Sequence, residues 1–112
     1  ATPLEQLDAM RALRPNWDGY DAAPPDALID RAEELVPIVE AHAVGGSVLV
    51  YPGRAGGVQL EWEDDAGEYE LEFESDGSAS LLHVEKATGK MWVEKFAPGE
   101  SPLSSLPGVL PG

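Results

Sequence analysis

Residues 58–74 read Val-Gln-Leu-Glu-Trp-Glu-Asp-Asp-Ala-Gly-Glu-Tyr-Glu-Leu-Glu-Phe-Glu, and this stretch decides the fold. Apolar and polar residues alternate on both sides of an Asp/Gly turn, which is typical of two half-buried antiparallel strands. The apolar face of this predicted hairpin consists of Val58, Leu60, Trp62, Tyr69, Leu71 and Phe73. The opposite face consists of Gln59, Glu61, Glu63, Glu68, Glu70, Glu72 and Glu74. Because a shift of one residue would expose the whole apolar set, the register of the hairpin is strongly specified.

Two helices are predicted before the strands. Apolar residues recur at every third position from Leu4 to Leu13, which predicts a helix over residues 3–14 with Thr2 as its N-cap. A second apolar stripe predicts a helix from Asp26 to His42. Pro37 lies inside that stripe, so a kink or a tightened last turn is expected there.

Three further strands complete the predicted fold. Residues 47–51 form an almost continuous apolar run, which favours a strand covered on both faces. Turns rich in Gly then separate strands over residues 79–85 and 90–96. The sequence therefore predicts an α+β domain over residues 1–96, with two N-terminal helices packed on a five-strand antiparallel meander.

The turn at Asp76-Gly77 sets the register of the fourth strand. Read as a two-residue hairpin turn, it pairs Ser75 with Ser78 and places His83 opposite Glu70. Leu82 and Val84 are then expected to point into the core. The glutamate face is expected to gain Leu81, His83, Trp92 and Phe96.

The composition limits the classes of function. A chain of 112 residues without cysteine suits one domain with no disulfide, thiolate metal site or cysteine nucleophile. The net charge is −14, and residues 46–78 alone hold nine acids against one arginine. Such a field repels nucleic acid and anionic membranes and attracts basic proteins. No apolar run approaches 18 residues and no leader is visible, so a cytoplasmic protein is expected.

Residues 97–112 form a Pro/Gly-rich C-terminal tail. This tail holds four prolines and three glycines, together with the apolar residues Leu103, Leu106, Val109 and Leu110. Three interpretations remain open. The tail is disordered, it folds back over the apolar patch around Leu81, Trp92 and Phe96, or it is an extended docking peptide.

The segment Asn16-Trp17-Asp18-Gly19-Tyr20 lies between the predicted helices. Asn, Asp and Gly favour turns, and the two aromatic rings each carry one polar atom. One interpretation is a rigid loop whose rings fill the seam between helices and sheet. The other is a recognition loop that presents Trp17, Asp18 and Tyr20 to a partner.

This loop, Ala23-Pro24 and the later string Gly56-Gly57-Val58-Gln59-Leu60-Glu61-Trp62 together resemble a group of small uncharacterised bacterial proteins. Those proteins combine an NWDGYGAxP loop with a GGVQLEW strand, and the resemblance covers roughly residues 12–75. Asp21 stands where the family pattern has Gly. The resemblance implies a shared fold and brings no established activity.

Catalytic and metal signatures are weak. Glu70 beside His83 would resemble the orienting half of a catalytic triad, yet on an open sheet such a pair is more often a surface contact. No serine lies in a nucleophile elbow, no glycine string opens a helix, and no spaced calcium-ligand pattern occurs. The sequence predicts a protein that is not an enzyme and has no cofactor or metal.

Two classes of function remain. The first is a small interaction protein, such as an immunity, antitoxin-like or adaptor subunit, that docks a basic protein partner. The second is a nucleic-acid mimic, since residues on one face of a strand repeat at about 6.6–7 Å, close to the phosphate spacing. The alternative without a binding function is that the glutamate face is only solvated and aids solubility. The predicted partner-binding residues are Trp17, Asp18, Tyr20, Glu61, Glu63, Glu70, Glu72 and His83.

Overall fold

The computed structural model describes residues 2–13 and 23–102. It contains helix α1 with a short 3₁₀ turn behind it, helix α2, and five strands β1 to β5. Their bounds are Pro3–Ala9 for α1, Met10–Ala12 for the 3₁₀ turn, Asp26–Glu40 for α2, Leu49–Pro52 for β1, Val58–Glu63 for β2, Gly67–Phe73 for β3, Ala79–Glu85 for β4 and Met91–Phe96 for β5.

The five strands form one antiparallel sheet in the order β1-β2-β3-β4-β5, with both helices packed on one face. The predicted α+β architecture of two helices on a five-strand meander is therefore confirmed. The core lies between helices and sheet, and it joins Leu7, Ile29 and Val36 of the helices with the buried residues of the strands in one cluster.

The start of α1 follows the predicted pattern. The Thr2 hydroxyl accepts the Glu5 backbone N–H at 3.1 Å, and the Glu5 carboxylate accepts the Thr2 N–H at 2.9 Å. This reciprocal capping satisfies two N–H groups that the helix cannot pair internally. The α-helix ends at Ala9, earlier than predicted, and tightens into the 3₁₀ turn before Leu13.

Helix α2 starts at Asp26 as predicted and ends at Glu40, two residues before the predicted end at His42. Pro37 lies inside it on an exposed face, and the helix continues for three further residues. The Pro37 carbonyl accepts the Ala41 N–H at 3.2 Å, so the last turn is closed at the carbonyl of the proline itself.

Ion pairs around a single arginine, Arg11, hold the N-terminal helical segment against α2. The guanidinium of Arg11 contacts the carboxylates of Asp8 at 3.0 Å and Asp30 at 2.6 Å. It also pairs with Glu33 and lies 3.8 Å from Asp26. The single positive charge of Arg11 thereby reduces the repulsion between carboxylates of the two helices.

The hairpin β2–β3 has the predicted faces and register. Leu60 pairs with Leu71, Trp62 pairs with Tyr69, and the whole predicted apolar face is buried. The turn is fixed by Asp64, whose carboxylate accepts the N–H groups of residues 66 and 67 at 2.8 Å and the Tyr69 hydroxyl at 3.0 Å.

The prediction that the first strand is covered on both faces is wrong. In β1, Val50 is buried, whereas Leu49 is 53% exposed and Tyr51 is 38% exposed. The cause is that the described helices cover only the face of the sheet on which Val50 lies. A continuous apolar run therefore leaves its alternate residues in solvent.

The predicted register of β4 is wrong by one residue. Glu74 and Ser78 close the turn, because the Glu74 N–H donates to the Ser78 carbonyl at 2.8 Å. The loop thus has three residues and ends at Gly77, whose φ of +91° suits the left-handed position of such loops. Leu71 pairs with Leu81 and Tyr69 with His83. A one-residue shift reverses every side chain of the strand.

Because β5 pairs with β4, its side chains also lie on the opposite face of the sheet from the predicted one. Leu81, His83, Trp92 and Phe96 lie on the helix side of the sheet, not on the glutamate face as predicted. Leu82 and Val84, predicted to be core residues, lie on the glutamate face.

The first residues of the predicted tail pack against the domain. Arg31 of α2 donates to the Gly77 carbonyl at 2.6 Å and to the Glu100 carbonyl at 3.1 Å, and its guanidinium lies 4.9 Å from the Phe73 ring centre. Pro102 is buried. The alternatives for Leu103, Leu106, Val109 and Leu110 lie outside the described residues.

Candidate partner-binding face

The side of the sheet opposite the helices is called the outer face here. Its side chains form three rows across the strands. The rows are Tyr51, Gln59, Glu72, Ser80 and Lys95, then Leu49, Glu61, Glu70, Leu82 and Val93, then Glu63, Glu68, Val84 and Met91. Five glutamates therefore occupy the middle strands β2 and β3, and apolar side chains border them.

Glu61 and Glu70 face each other directly at the centre of the outer face. The Asp64 N–H donates to the carbonyl of residue 67 at 3.0 Å, so hydrogen-bonded pairs fall on the even residues of β2 and Glu61–Glu70 is a pair without ladder bonds. In such pairs the Cα atoms approach to about 4.5 Å and the side chains are closest. The carboxylates are thus forced together by the ladder itself.

The pKa of Glu70 is raised above the usual glutamate value. The largest cause is its hydrogen bond with Glu61, followed by burial and by the charge of Glu61. Donors are unevenly shared between the two. Glu61 accepts the Tyr51 hydroxyl at 2.9 Å and the Gln59 amide at 2.8 Å, whereas the same amide is 3.4 Å from Glu70. Of these two carboxylates, Glu70 therefore has the weaker hydrogen-bond support for its charge.

The other glutamates have different neighbours. Glu63 lies opposite Glu68 but also forms an ion pair with Lys86 at 2.8 Å. The hydrogen bond to Glu63 is the largest cause of the raised pKa of Lys86. Glu72 lies between Gln59 and Ser80, so it has no acid directly across from it. The strongest uncompensated repulsion on the outer face is therefore at Glu61–Glu70.

Apolar side chains flank the carboxylates on both sides. Leu49 lies at one border, and Val93 and Met91 lie at the other, 60% and 64% exposed. A groove of about 510 Å³ runs over Glu61 and Glu70 between Leu49 and the half-buried Leu82. Its floor is acidic and its walls are aliphatic.

His83 is not part of this face, so its predicted role beside Glu70 is wrong. It lies between the rings of Tyr69 and Trp92 on the helix side, with centroids at 4.7 and 5.0 Å. The three-residue loop before β4 causes the change. The carboxylate–histidine pair that would resemble part of a triad does not form.

Of the other predicted binding residues, Glu61, Glu63, Glu70 and Glu72 lie together on the outer face. The loop residues Trp17, Asp18 and Tyr20 lie outside the described residues. Sequence reasoning missed Tyr51, Leu49 and Leu82. The alternation around Val50 would have indicated the first two, and the correct loop length would have indicated Leu82.

Residues 2–13 and 23–102 contain neither a metal-binding cluster nor a membrane-spanning helix. No group of three or more His, Asp or Glu side chains there is arranged to hold a metal ion. Neither helix in this part of the chain is long and apolar enough to cross a membrane.

No protein-family model, curated protein or solved structure matches this chain. The geometry of the outer face therefore carries the functional argument by itself.

Proposed function

We propose that this chain is a small, non-enzymatic interaction protein whose outer face docks a basic protein partner. The single observation that supports the proposal is the sheet face that residues 2–13 and 23–102 leave uncovered, on which Glu61 and Glu70 are held together between exposed aliphatic side chains. An immunity, antitoxin-like or adaptor subunit is the class of protein that fits. The resemblance of its loop and strand motifs supports a bacterial source, and the proposed compartment is the cytoplasm.

In the free protein, the carboxylates of Glu61 and Glu70 repel each other. Like charges directly opposite each other weaken a ladder by about 0.2–1 kcal/mol per pair. A lysine or arginine of a partner placed over Glu61 and Glu70 removes that repulsion and adds an attraction. Since charged contacts at an interface act strongly on association rate and selectivity, binding should weaken as salt rises.

The apolar borders specify the partner further. Lysine and arginine bury their aliphatic stems along apolar surface and keep the charged end at a polar group. Leu49 and Leu82 provide such surface on either side of the carboxylates. The expected partner surface is therefore a basic segment that also carries apolar residues.

A nucleic-acid mimic is the second candidate. It is favoured by Glu68, Glu70 and Glu72, which follow one another along the same side of β3 at the strand repeat of about 6.6–7 Å. A phosphate backbone has no counterpart of the aliphatic borders, which favours the first candidate.

The test begins with cross-linking and affinity capture, and the captured protein is then purified for titration against defined variants. The face variant carries Glu61→Gln, Glu70→Gln and Glu72→Gln. The control carries Glu34→Gln, Glu40→Gln and Asp65→Asn, which change the net charge equally at positions off the outer face.

Parent and control should bind one basic partner with similar affinity, and the face variant should lose it while remaining folded. Leu49→Ala should also weaken binding. A mimic would instead capture many nucleic-acid-binding proteins and would tolerate Leu49→Ala. Equal binding by the face variant would exclude the outer face as the docking surface.

A further inference from the structure

Strand β5 ends the sheet with an apolar edge to which no other segment of residues 2–13 and 23–102 is paired. Met91 and Val93 are exposed on the outer face, and Trp92 is 46% exposed on the helix side. Natural edge strands are usually protected by lysine, proline, a bulge or a covering segment. The sequence Met91-Trp92-Val93 offers no such protection at the middle of the edge.

The described chain after β5 turns away from this edge. The Glu100 N–H donates to the Ala97 carbonyl at 2.9 Å, which forms a turn directly after the strand. The Glu100 carbonyl then contacts Arg31 of α2. This segment continues toward the helices and does not run beside β5.

No strand in the described part of the chain pairs with the backbone of β5 on that side. The Glu85 N–H donates to the Lys90 carbonyl at 2.8 Å, so the even residues of β5 face β4. By the alternation of an antiparallel ladder, the N–H and C=O groups of Met91, Val93 and Lys95 point to the open edge.

A row of stacked rings leads to the same edge. Trp62, Tyr69, His83 and Trp92 lie side by side on β2, β3, β4 and β5, with successive centroid distances of 5.4, 4.7 and 5.0 Å. The row ends at the exposed ring of Trp92, where a further ring could stack.

We propose that the occupant of this edge is a second copy of the same chain, paired antiparallel through β5 in one register. In that register Trp92 lies opposite Trp92 of the second copy, Lys90 lies opposite Glu94, and Met91 lies opposite Val93. The outward-pointing backbone groups meet, the row of rings continues into the second sheet, and two opposite-charge pairs flank the tryptophans.

Neighbouring registers are less complementary. A shift by two positions in one direction places Trp92 opposite Glu94 and Val93 opposite Val93, which separates the rings and the opposite charges. A shift by two positions in the other direction places Trp92 opposite Lys90 and Glu94 opposite Thr88, which also separates the rings and removes both opposite-charge pairs. A shift by an odd number of positions places N–H and C=O groups of β5 that are already hydrogen-bonded to β4 opposite the outward-pointing groups of the second copy.

The pairing closes as a two-fold dimer. Both copies use the same strand, so the interface is self-complementary and leaves no second β5 edge. The other edge of the sheet is β1, which has four residues and ends in Pro52. A short strand with proline resists further pairing, so an open chain of copies is not expected. This inference is independent of the outer-face proposal.

Sedimentation velocity of the full chain over a wide concentration range tests the dimer. Lys90→Glu and Glu94→Lys each turn two attractive pairs into two repulsive ones and should weaken dimerisation about tenfold. The double variant with both changes restores the pairs and should regain the parent dissociation constant. Lys95→Glu is the matched control, because Lys95 has no charged counterpart in this register.

Circular dichroism should also show a coupled-indole signal that grows with dimer fraction and disappears in Trp92→Phe. Four results would overturn the proposal. They are a monomer at every concentration, single variants that dimerise like the parent, a double variant that stays as weak as the single ones, and assemblies larger than a dimer.

Discussion

Replacing Glu70 by Gln should stabilise the free protein at neutral pH. Glu70 faces Glu61 across the β2–β3 ladder in a pair without backbone hydrogen bonds, where side chains lie closest. Glu61 accepts the hydroxyl of Tyr51 and the better-placed hydrogen bond of Gln59. Removing the charge at position 70 therefore removes the repulsion while the hydrogen bonds to Glu61 remain.

The magnitude follows from one directly opposed pair on a half-exposed face. Relief of such a pair is worth about 0.5 kcal/mol, which for a domain of this size raises the melting temperature by about 2–4 °C. The pH dependence follows from the raised pKa of Glu70. Below the usual glutamate pKa of 4.5, both states of the parent are protonated and Gln has no advantage. As pH rises through the raised pKa of the folded state, the parent loses stability and the advantage of Gln appears.

Thermal unfolding of parent and variant, from below the usual glutamate pKa of 4.5 up to neutral pH, measures this difference. Glu72→Gln is the matched control, since Glu72 has Gln59 and Ser80 across from it and should gain much less. A gain for Glu70→Gln that is equal to the control, or that is unchanged at acidic pH, would refute the assignment of Glu61–Glu70 as the strained pair.

Three further outcomes follow from the packing. Trp62→Ala should cost about 3–5 kcal/mol in urea unfolding, because Trp62 is buried and stacks on Tyr69; a parent-like midpoint would contradict its place in the core. Gly67→Ala should lower stability by about 1–3 kcal/mol, because a Cβ there would lie 2.7 Å from His83 Nε2 and 2.9 Å from a carbonyl of β4; an unchanged melting temperature would show that the ring lies elsewhere. Arg11→Gln should lower the melting temperature by a deficit that shrinks in high salt, which screens the acids it leaves unpaired, and a salt-independent deficit would argue for lost packing instead.

The candidate face shows where sequence reasoning succeeds and where it fails. Glu61, Glu63, Glu70 and Glu72 could be assigned to one face because strict alternation on both sides of a short turn leaves no other register that buries Trp62. His83 could not, because its face depends on whether the loop at Asp76-Gly77 has two or three residues. Both loops use the same residue types, and the choice changes every contact of β4.

The sequence by itself determined the architecture, the capped start of α1 and the faces of the β2–β3 hairpin. Each of these depends on residues close together in the chain, where periodicity and turn chemistry act directly. Only the tertiary structure decided what borders the glutamates and which strands end the sheet. Leu49 lies on the outer face because β1 pairs it with Glu61, and Leu82 lies there because β4 is shifted by one residue. Those outcomes depend on how distant segments share one helix layer, and no local pattern encodes that.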